Sequence, residues 1–257
     1  MLSIIKIGGN IINDESALRE FLWQFVEFPG MKILVHGGGK EATELSKKLG
    51  IETKMIDGRR ITDKATLDIV TMVYAGLINK RIVSILQDLG CNAVGLTGAD
   101  GHSIPAKKRS VLPIDYGFVG DIEHERINTY FLYSMLQQNI SPVFCAICHQ
   151  PNGSLLNCNA DSVASSLAMS CAKDETVKLI YCFEKAGVLS DINKEDSVIP
   201  LITPENFELL RHEGKISGGM LPKVTNALSA LEHGVASVKI CHSSDLLKDK
   251  GTLISLN

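Results

Sequence analysis

Along almost its whole length the chain alternates short apolar runs with segments of helical periodicity. No other feature limits the fold as much. The runs SIIKIGG, KILVHGGG, NAVGLTGADG, ISPVFCAIC, VKLIYCF and ASVKICH carry little polar alternation, as strands covered on both faces do. Between them lie helix-periodic stretches. DESALREFLWQFVEFP has Asp14 placed to cap its start, and KEATELSKKLG stops at Gly50. DKATLDIVTMVYAGLINKRIVSILQDLG reads as one long helix broken near Gly76, and NTYFLYSMLQQN as a shorter one. ADSVASSLAMSCA is a small-residue helix suited to close packing on a sheet, and GGMLPKVTNALSALEHG leads into another helix. Strands alternating with helices predict an α/β fold, a mainly parallel sheet with helices on both faces. Ligands of such sheets sit beyond the carboxyl ends of the strands. One stretch departs from the pattern: AKKRSVLPIDYGFVGDIEHERI is polar and turn-rich and predicts a hairpin or flap. There are no repeats or low-complexity segments. A soft boundary falls near residues 173–177, dividing a lobe of about 1–175 from one of about 176–257.

The 257 residues are 45% hydrophobic, enough for a full core, but only 5% aromatic, which leaves few rings for stacking on bases. A net charge of −3 gives no reason to expect nucleic acid or an anionic membrane surface. No 18-residue apolar run stands out, so no membrane span is expected. The N-terminus enters a strand without the basic flank and cleavage site of a signal peptide, and a cytoplasmic protein is expected. Seven cysteines are scattered through apolar stretches, as buried reduced thiols are. Cys145, Cys148 and His149 fit a c-type haem attachment spacing. That motif belongs to exported chains, and here it ends an apolar strand, so packed thiols are the better reading.

The chemistry-bearing residues cluster at strand ends. Lys6 interrupts the first apolar run just before Gly8 and Gly9. A buried ammonium needs an anion; a snorkelling edge lysine is the alternative. His36 ends the second strand and Gly37, Gly38 and Gly39 come next, before a helix. Such a turn lets backbone amides approach an anion at a helix N-terminus. Neither GxxxxGK[ST] nor GxGxxG occurs. Tight turns alone would also explain the glycines, and His36 suits backbone bonding better than a base's role. Asn157, Asn159 and Asp161 alternate, so an extended stretch projects them to one side; ordinary helix capping is the bland reading. Lys223 stands in a helix's first turn, against the dipole, which a bound anion would relieve. Arg59 and Arg60 beside Gly58 suit a carboxylate clamp, although such pairs are usually solvated.

Together these blocks resemble the amino acid kinase family, and within it the branch that phosphorylates N-acetylglutamate. The ordered blocks are IIKIGG, VHGGG, DGRRIT, AVGLTGADG, DYGFVGD, LNCNAD and GGMLPKV, covering nearly the whole chain. The resemblance implies a three-layer αβα sandwich whose N-terminal lobe holds the amino acid and whose C-terminal lobe holds ATP. The reaction moves the γ-phosphoryl to a side-chain carboxylate, making an acyl phosphate in arginine synthesis. In the roles so implied, Lys6 and Lys223 stabilise the transferring phosphoryl and Asp161 holds both lysines. Backbone at Gly8, Gly9, Gly37, Gly38 and Gly39 binds oxyanions. Gly38, Gly39, Arg60 and Asn157 bind the substrate. The nucleotide falls to Glu184, Lys185, Ala186, Gly187, Val188 and Leu189, with Lys215, Ile216 and Ser217. Mg²⁺ would ride on the ATP phosphates, and no dedicated metal site is implied. The family's Thr/Ser-Asp pair is replaced by Phe183 and Glu184, which puts the adenosine contacts in question. The start of the chain at its first strand suggests a homodimer without arginine feedback. A different acyl group such as N-succinyl, another kinase of the fold, and a non-catalytic regulator are the alternatives.

Overall fold

The computed structural model describes residues 1–56, 58–191, 193–216 and 220–256; Ser217 lies outside them. The chain opens with β1 (Leu2–Ile7), the short α1 (Gly9–Ile12), α2 (Glu15–Glu27), β2 (Met31–His36) and α3 (Gly39–Lys48). A small hairpin comes next, β3 (Met55–Ile56) with β4 (Arg59–Arg60). The long helix is α4 (Lys64–Thr71), a π-helical stretch (Met72–Ile78) and α5 (Asn79–Asp88). After it lie β5 (Ala93–Leu96), the hairpin strands β6 (Ala106–Lys108) and β7 (Gly120–Ile122), α6 (Thr129–Leu136) and β8 (Ser141–Cys145). A second hairpin joins β9 (Ile147–His149) to β10 (Leu155–Asn157) and leads into α7 (Ala160–Cys171). The remainder is β11 (Val177–Phe183), β12 (Leu201–Ile202), α8 (Pro204–His212), α9 (Met220–Glu232), β13 (Ser237–His242) and β14 (Thr252–Ile254).

Eight strands form one sheet in the order β12-β14-β13-β11-β1-β2-β8-β5. Every pairing is parallel except β13 with β14. Strands from before residue 176 make one half of the sheet and later strands the other, meeting where β1 pairs with β11. β1 is covered on both faces: Leu2, Ile4, Ile5 and Ile7 are fully buried. α7 packs on β1, β2 and β11 and against α9, while α5 packs on β5 and β8 beside α2.

The structure refines several sequence expectations. The run ISPVFCAIC is not one strand: β8 ends at Cys145, and Cys148 and His149 belong to a separate hairpin. All seven cysteines are buried and free. The long helix does not break at Gly76; it widens into a π turn across Met72–Ile78 and continues. That helix also corrects the reading that nothing is apolar enough to span a membrane. Lys64–Asp88 is 25 residues long and holds an 18-residue window of mean hydropathy 1.5, sufficient by length and composition. Here it serves as a core helix, with Leu67, Val70, Val73, Ile78, Ile82 and Leu86 buried. The flap expected near residues 106–126 is present as β6 paired with β7.

Candidate active site

In a parallel sheet every strand-to-helix turn emerges at the same edge. Lys6 is the last residue but one of β1, the three glycines come after β2, and Asp161 lies in the first turn of α7 after the β9–β10 hairpin. Lys223 sits in the first turn of α9. Residues far apart in sequence therefore meet beyond one sheet edge.

Their meeting point is an ion triad. Lys6 Nζ lies 2.7 Å from Asp161 Oδ1, and Lys223 Nζ donates to Asp161 Oδ2. The side chains are 12%, 14% and 22% exposed for Lys6, Asp161 and Lys223. Oδ1 is sealed from solvent and faces the Lys6 ammonium. Burial by itself pushes the Asp161 carboxyl up; the charges of Lys6 and Lys223 and their hydrogen bonds outweigh it and bring the group down to about 2. Burial and the neighbouring Lys6 charge lower Lys223, while Asp161 and Glu184 oppose that shift. The Lys223 ammonium lies 6.0 Å from the ring centroid of the buried Tyr181. Two ammonium groups share one carboxylate, which leaves the triad one negative charge short in a partly dry place.

The backbone around the triad is arranged for an anion. Elsewhere side chains cap helix starts: Asp14, Asp63, Asn128, Asn159 and Thr203 accept from first-turn amides. Helices α1 and α3, which succeed the glycine turns, have no such cap, so their first amides are left for a ligand. Gly8 needs correcting. Its N–H donates to Cys182 O at 2.8 Å, extending the sheet ladder, so it is no oxyanion donor. Its role is close approach: a Cβ there would sit 3.2 Å from Phe183 Cβ. Gly9 is the first residue of the uncapped α1. Asn159 turns out to be the α7 cap, accepting from the Asp161 and Ser162 amides.

A cavity of about 230 Å³ opens from Lys6 and Asp161 past Gly37, Gly38 and Gly39 to Arg59, Arg60 and Asn157. Arg60 is buried and donates to Gly39 O, Thr43 Oγ1 and Thr53 Oγ1 at 2.8, 2.8 and 3.2 Å. Asn157 Nδ2 donates to Thr62 Oγ1 at 3.0 Å. His36 is wholly buried and neutral: burial drops it to about 4, its Nδ1–H donates to Gly37 O, and its Nε2 accepts from Asn79 Nδ2. It braces the glycine turn and is no base.

Sequence reasoning missed Tyr74. It is buried, lines the same cavity, and lies on the π turn. Its ring holds the glycine turn so closely that a Cβ on Gly38 would come 2.7 Å from Tyr74 Cδ1 and 2.3 Å from Ile78 Cδ1. Desolvation raises the Tyr74 phenol, with the neighbouring Arg60 opposing. The available signal was a lone aromatic beside Gly76 in an otherwise aliphatic helix stretch.

The residues expected for the nucleotide divide. Lys185, Gly187, Leu189 and Lys215 line a second cavity of about 430 Å³ with Ser190 and Met220. Val188 and Ile216 instead point into the core, and the Val188 amide donates to Thr252 Oγ1. Ala186 is half-buried. Glu184 is exposed and near enough to Lys223 to favour its charge. Among the described residues no group of three or more His, Cys, Asp or Glu side chains could hold a metal ion.

The profile of the amino acid kinase family matches residues 1–242. An acetylglutamate kinase of Phocaeicola vulgatus is 51% identical over 253 residues, 98% of each chain. One from Cytophaga hutchinsonii is 52% identical, covering 96% of this chain and 93% of its own. Among solved structures, a Streptococcus mutans protein superposes with a TM-score of 0.84 at 28% identity, covering 100% of this chain and 99% of its own. The carbamate kinase of Giardia lamblia, at 16% identity and a TM-score of 0.69 over 100% and 98% of the chains, shares the fold. The uncapped glycine turns and the lysine–aspartate–lysine triad thus sit in a chain whose relatives match it end to end; it belongs to the amino acid kinase family.

Proposed function

We propose that this protein transfers the γ-phosphoryl of ATP to the side-chain carboxylate of N-acetyl-L-glutamate, giving an acyl phosphate for arginine synthesis. The observation that carries the reading is the charge-deficient triad at the floor of a cavity lined by glycine amides and arginine. A carboxylate nucleophile is already ionised at neutral pH, so the site needs no general base, and neutral His36 is not called upon. The obstacle is repulsion between a carboxylate and a polyphosphate. Lys6 and Lys223 offset it by placing positive charge where the transferring group develops negative charge. Asp161 fixes both ammoniums in place. Amides at Gly9, Gly38 and Gly39 receive oxyanions, and Arg60 with Asn157 orients the amino acid. The second cavity, with Lys185 and Lys215, receives the nucleotide.

Mg²⁺ travels on the ATP phosphates and neutralises part of their charge. Asp161, already shared by two ammoniums, is a poor ligand for it. A homodimer in a reducing cytoplasm completes the proposal. Met72 and Leu77, both more than half exposed on the long helix, offer an apolar contact face, and the free thiols suit that compartment. The test is ATP turnover with N-acetyl-L-glutamate, the acyl phosphate being trapped by hydroxylamine. Turnover with hydroxamate formation is expected. ATP hydrolysis without hydroxamate, or no turnover at all, overturns the reading.

A further inference from the structure

A tyrosine braces the glycine turn, although bracing needs only its phenyl ring. The Tyr74 ring runs along the turn. A Cβ on Gly38 would meet its Cδ1 and Cε1 at 2.7 and 3.0 Å, and a Cβ on Gly39 would lie 3.8 Å from the hydroxyl Oη. The hydroxyl therefore stands at the Gly39 end of the turn. Arg60 Nη2 lies 3.8 Å from that same point, and both side chains line the substrate cavity. Tyr74 is only 6% exposed, and a phenol hydroxyl so enclosed needs a hydrogen-bond partner.

The neighbouring groups cannot take its hydrogen. A guanidinium donates and never accepts, so Arg60 serves Oη only as a donor. The Gly39 carbonyl already accepts from Arg60 Nη2 and Thr43 Oγ1, both at 2.8 Å, which fills its two lone pairs. Desolvation keeps the phenol protonated. Among the described residues, this leaves the phenolic hydrogen to the cavity.

Arg60, in turn, cannot grip a carboxylate with two prongs. Both Nη2 hydrogens go to Gly39 O and Thr43 Oγ1, and one Nη1 hydrogen goes to Thr53 Oγ1. Nη2 belongs to each two-pronged edge of the fork, so a carboxylate at Arg60 receives charge and a single hydrogen bond. An N-acylated glutamate has two carboxylates. The reacting one belongs with Lys6 and Lys223, and the α-carboxylate with Arg60. That second carboxylate needs another donor, and Tyr74 Oη is placed beside Arg60 to supply it. Resting on the carboxyl-kinase reading above, we infer that Tyr74 is a substrate-binding residue whose hydroxyl donates to the α-carboxylate. The ring fixes the glycine turn, and the hydroxyl ties that turn to recognition of the amino-acid end.

The experiment removes each side of the contact in turn. N-acetyl-4-aminobutyrate keeps the reacting carboxylate and the acyl amide of N-acetyl-L-glutamate and lacks the α-carboxylate. Tyr74→Phe keeps the ring and lacks the hydroxyl. kcat and KM are measured for both compounds with wild type and variant; a competitive inhibition constant replaces KM if N-acetyl-4-aminobutyrate is not turned over. Tyr74→Phe is expected to raise KM for N-acetyl-L-glutamate by roughly 10- to 100-fold, the range of one hydrogen bond to a charged group. kcat and the KM for ATP should stay near wild type, because the contact persists from ground state to transition state. With N-acetyl-4-aminobutyrate, variant and wild type should be equal. An unchanged KM for N-acetyl-L-glutamate overturns the inference. So does an equal loss on both compounds, which would make the hydroxyl part of the turn's architecture. No turnover by wild type defeats the kinase reading instead. Calorimetric titration with N-acetyl-L-glutamate then decides the inference: weaker binding to the variant supports it, and equal affinities or no binding to either protein overturn it.

Discussion

Replacing Asp161 by asparagine keeps the shape of the triad and removes its only negative charge. Asp161 is held at about 2 against 3.8 for an ordinary aspartate. At 1.36 kcal/mol per unit, that shift contributes roughly 2.5 kcal/mol of stability at neutral pH. Leaving two ammoniums with no counter-charge raises the loss toward about 3–5 kcal/mol, as for other broken buried pairs. For a chain of this size, a loss at the lower figure moves Tm by roughly 5–10 °C. Because the folded-state carboxyl is depressed, its contribution is fully present above pH 3.8 and disappears as pH falls through about 2. Urea melts of wild type and Asp161→Asn should therefore differ by at least about 2.5 kcal/mol at pH 7. The gap should close between pH 4 and pH 2. Other lowered acids, such as Asp63 and Glu175, are common to both proteins and drop out of the difference. Added ADP should stabilise the variant more than wild type, since phosphate oxygens then face two uncompensated ammoniums. Equal stabilities at pH 7, or a gap unchanged down to pH 2.5, would refute the triad as an electrostatic unit.

Two further substitutions separate chemistry from architecture. Lys223→Ala should lower kcat by roughly 10²- to 10³-fold, as loss of one transition-state donor does; single-turnover rates at saturating substrates measure it, and an unchanged kcat would remove Lys223 from the reaction. Gly38→Ala must displace the Ile78 and Tyr74 side chains, which a new Cβ would meet at 2.3 and 2.7 Å. It should destabilise by roughly 1–3 kcal/mol in urea melts, and Ile78→Ala in the same chain should recover part of that, whereas no recovery would mean the clash lies elsewhere.

How far the sequence discloses this site depends on the range of the signal. Lys6 was legible because one ammonium in an apolar strand violates a local rule, whereas its partner came only from the family resemblance. That partner lies 155 residues away at Asp161, brought in by parallel strands that share an edge. Gly8 and Gly9 look alike as letters. They part only through register, because Ile7 pairs with Cys182 and the ladder claims the next amide. Tyr74 was hidden for a geometric reason. A π turn accommodates an extra residue and rotates the helix beyond it relative to a 3.6-residue period, so a face read from that period misplaces the turn's side chains. Gly76 suggested a break because glycine weakens a helix; in the structure the helix widens there instead. Asn159 shows the converse. Its alternation with Asn157 and Asp161 looked like three ligands on one side, yet it spends its side chain on the amides of α7. The comparison of caps then supplies a criterion that spacing could not. A helix start closed by its own Asn or Asp has spent one or two of its first-turn amides, and one that succeeds glycine with no cap has spent none of them on a side chain. Applied to α7 and α3, this criterion leaves Asp161 to the lysines by its charge and finds the start of α3, at Gly38 and Gly39, without a side-chain cap.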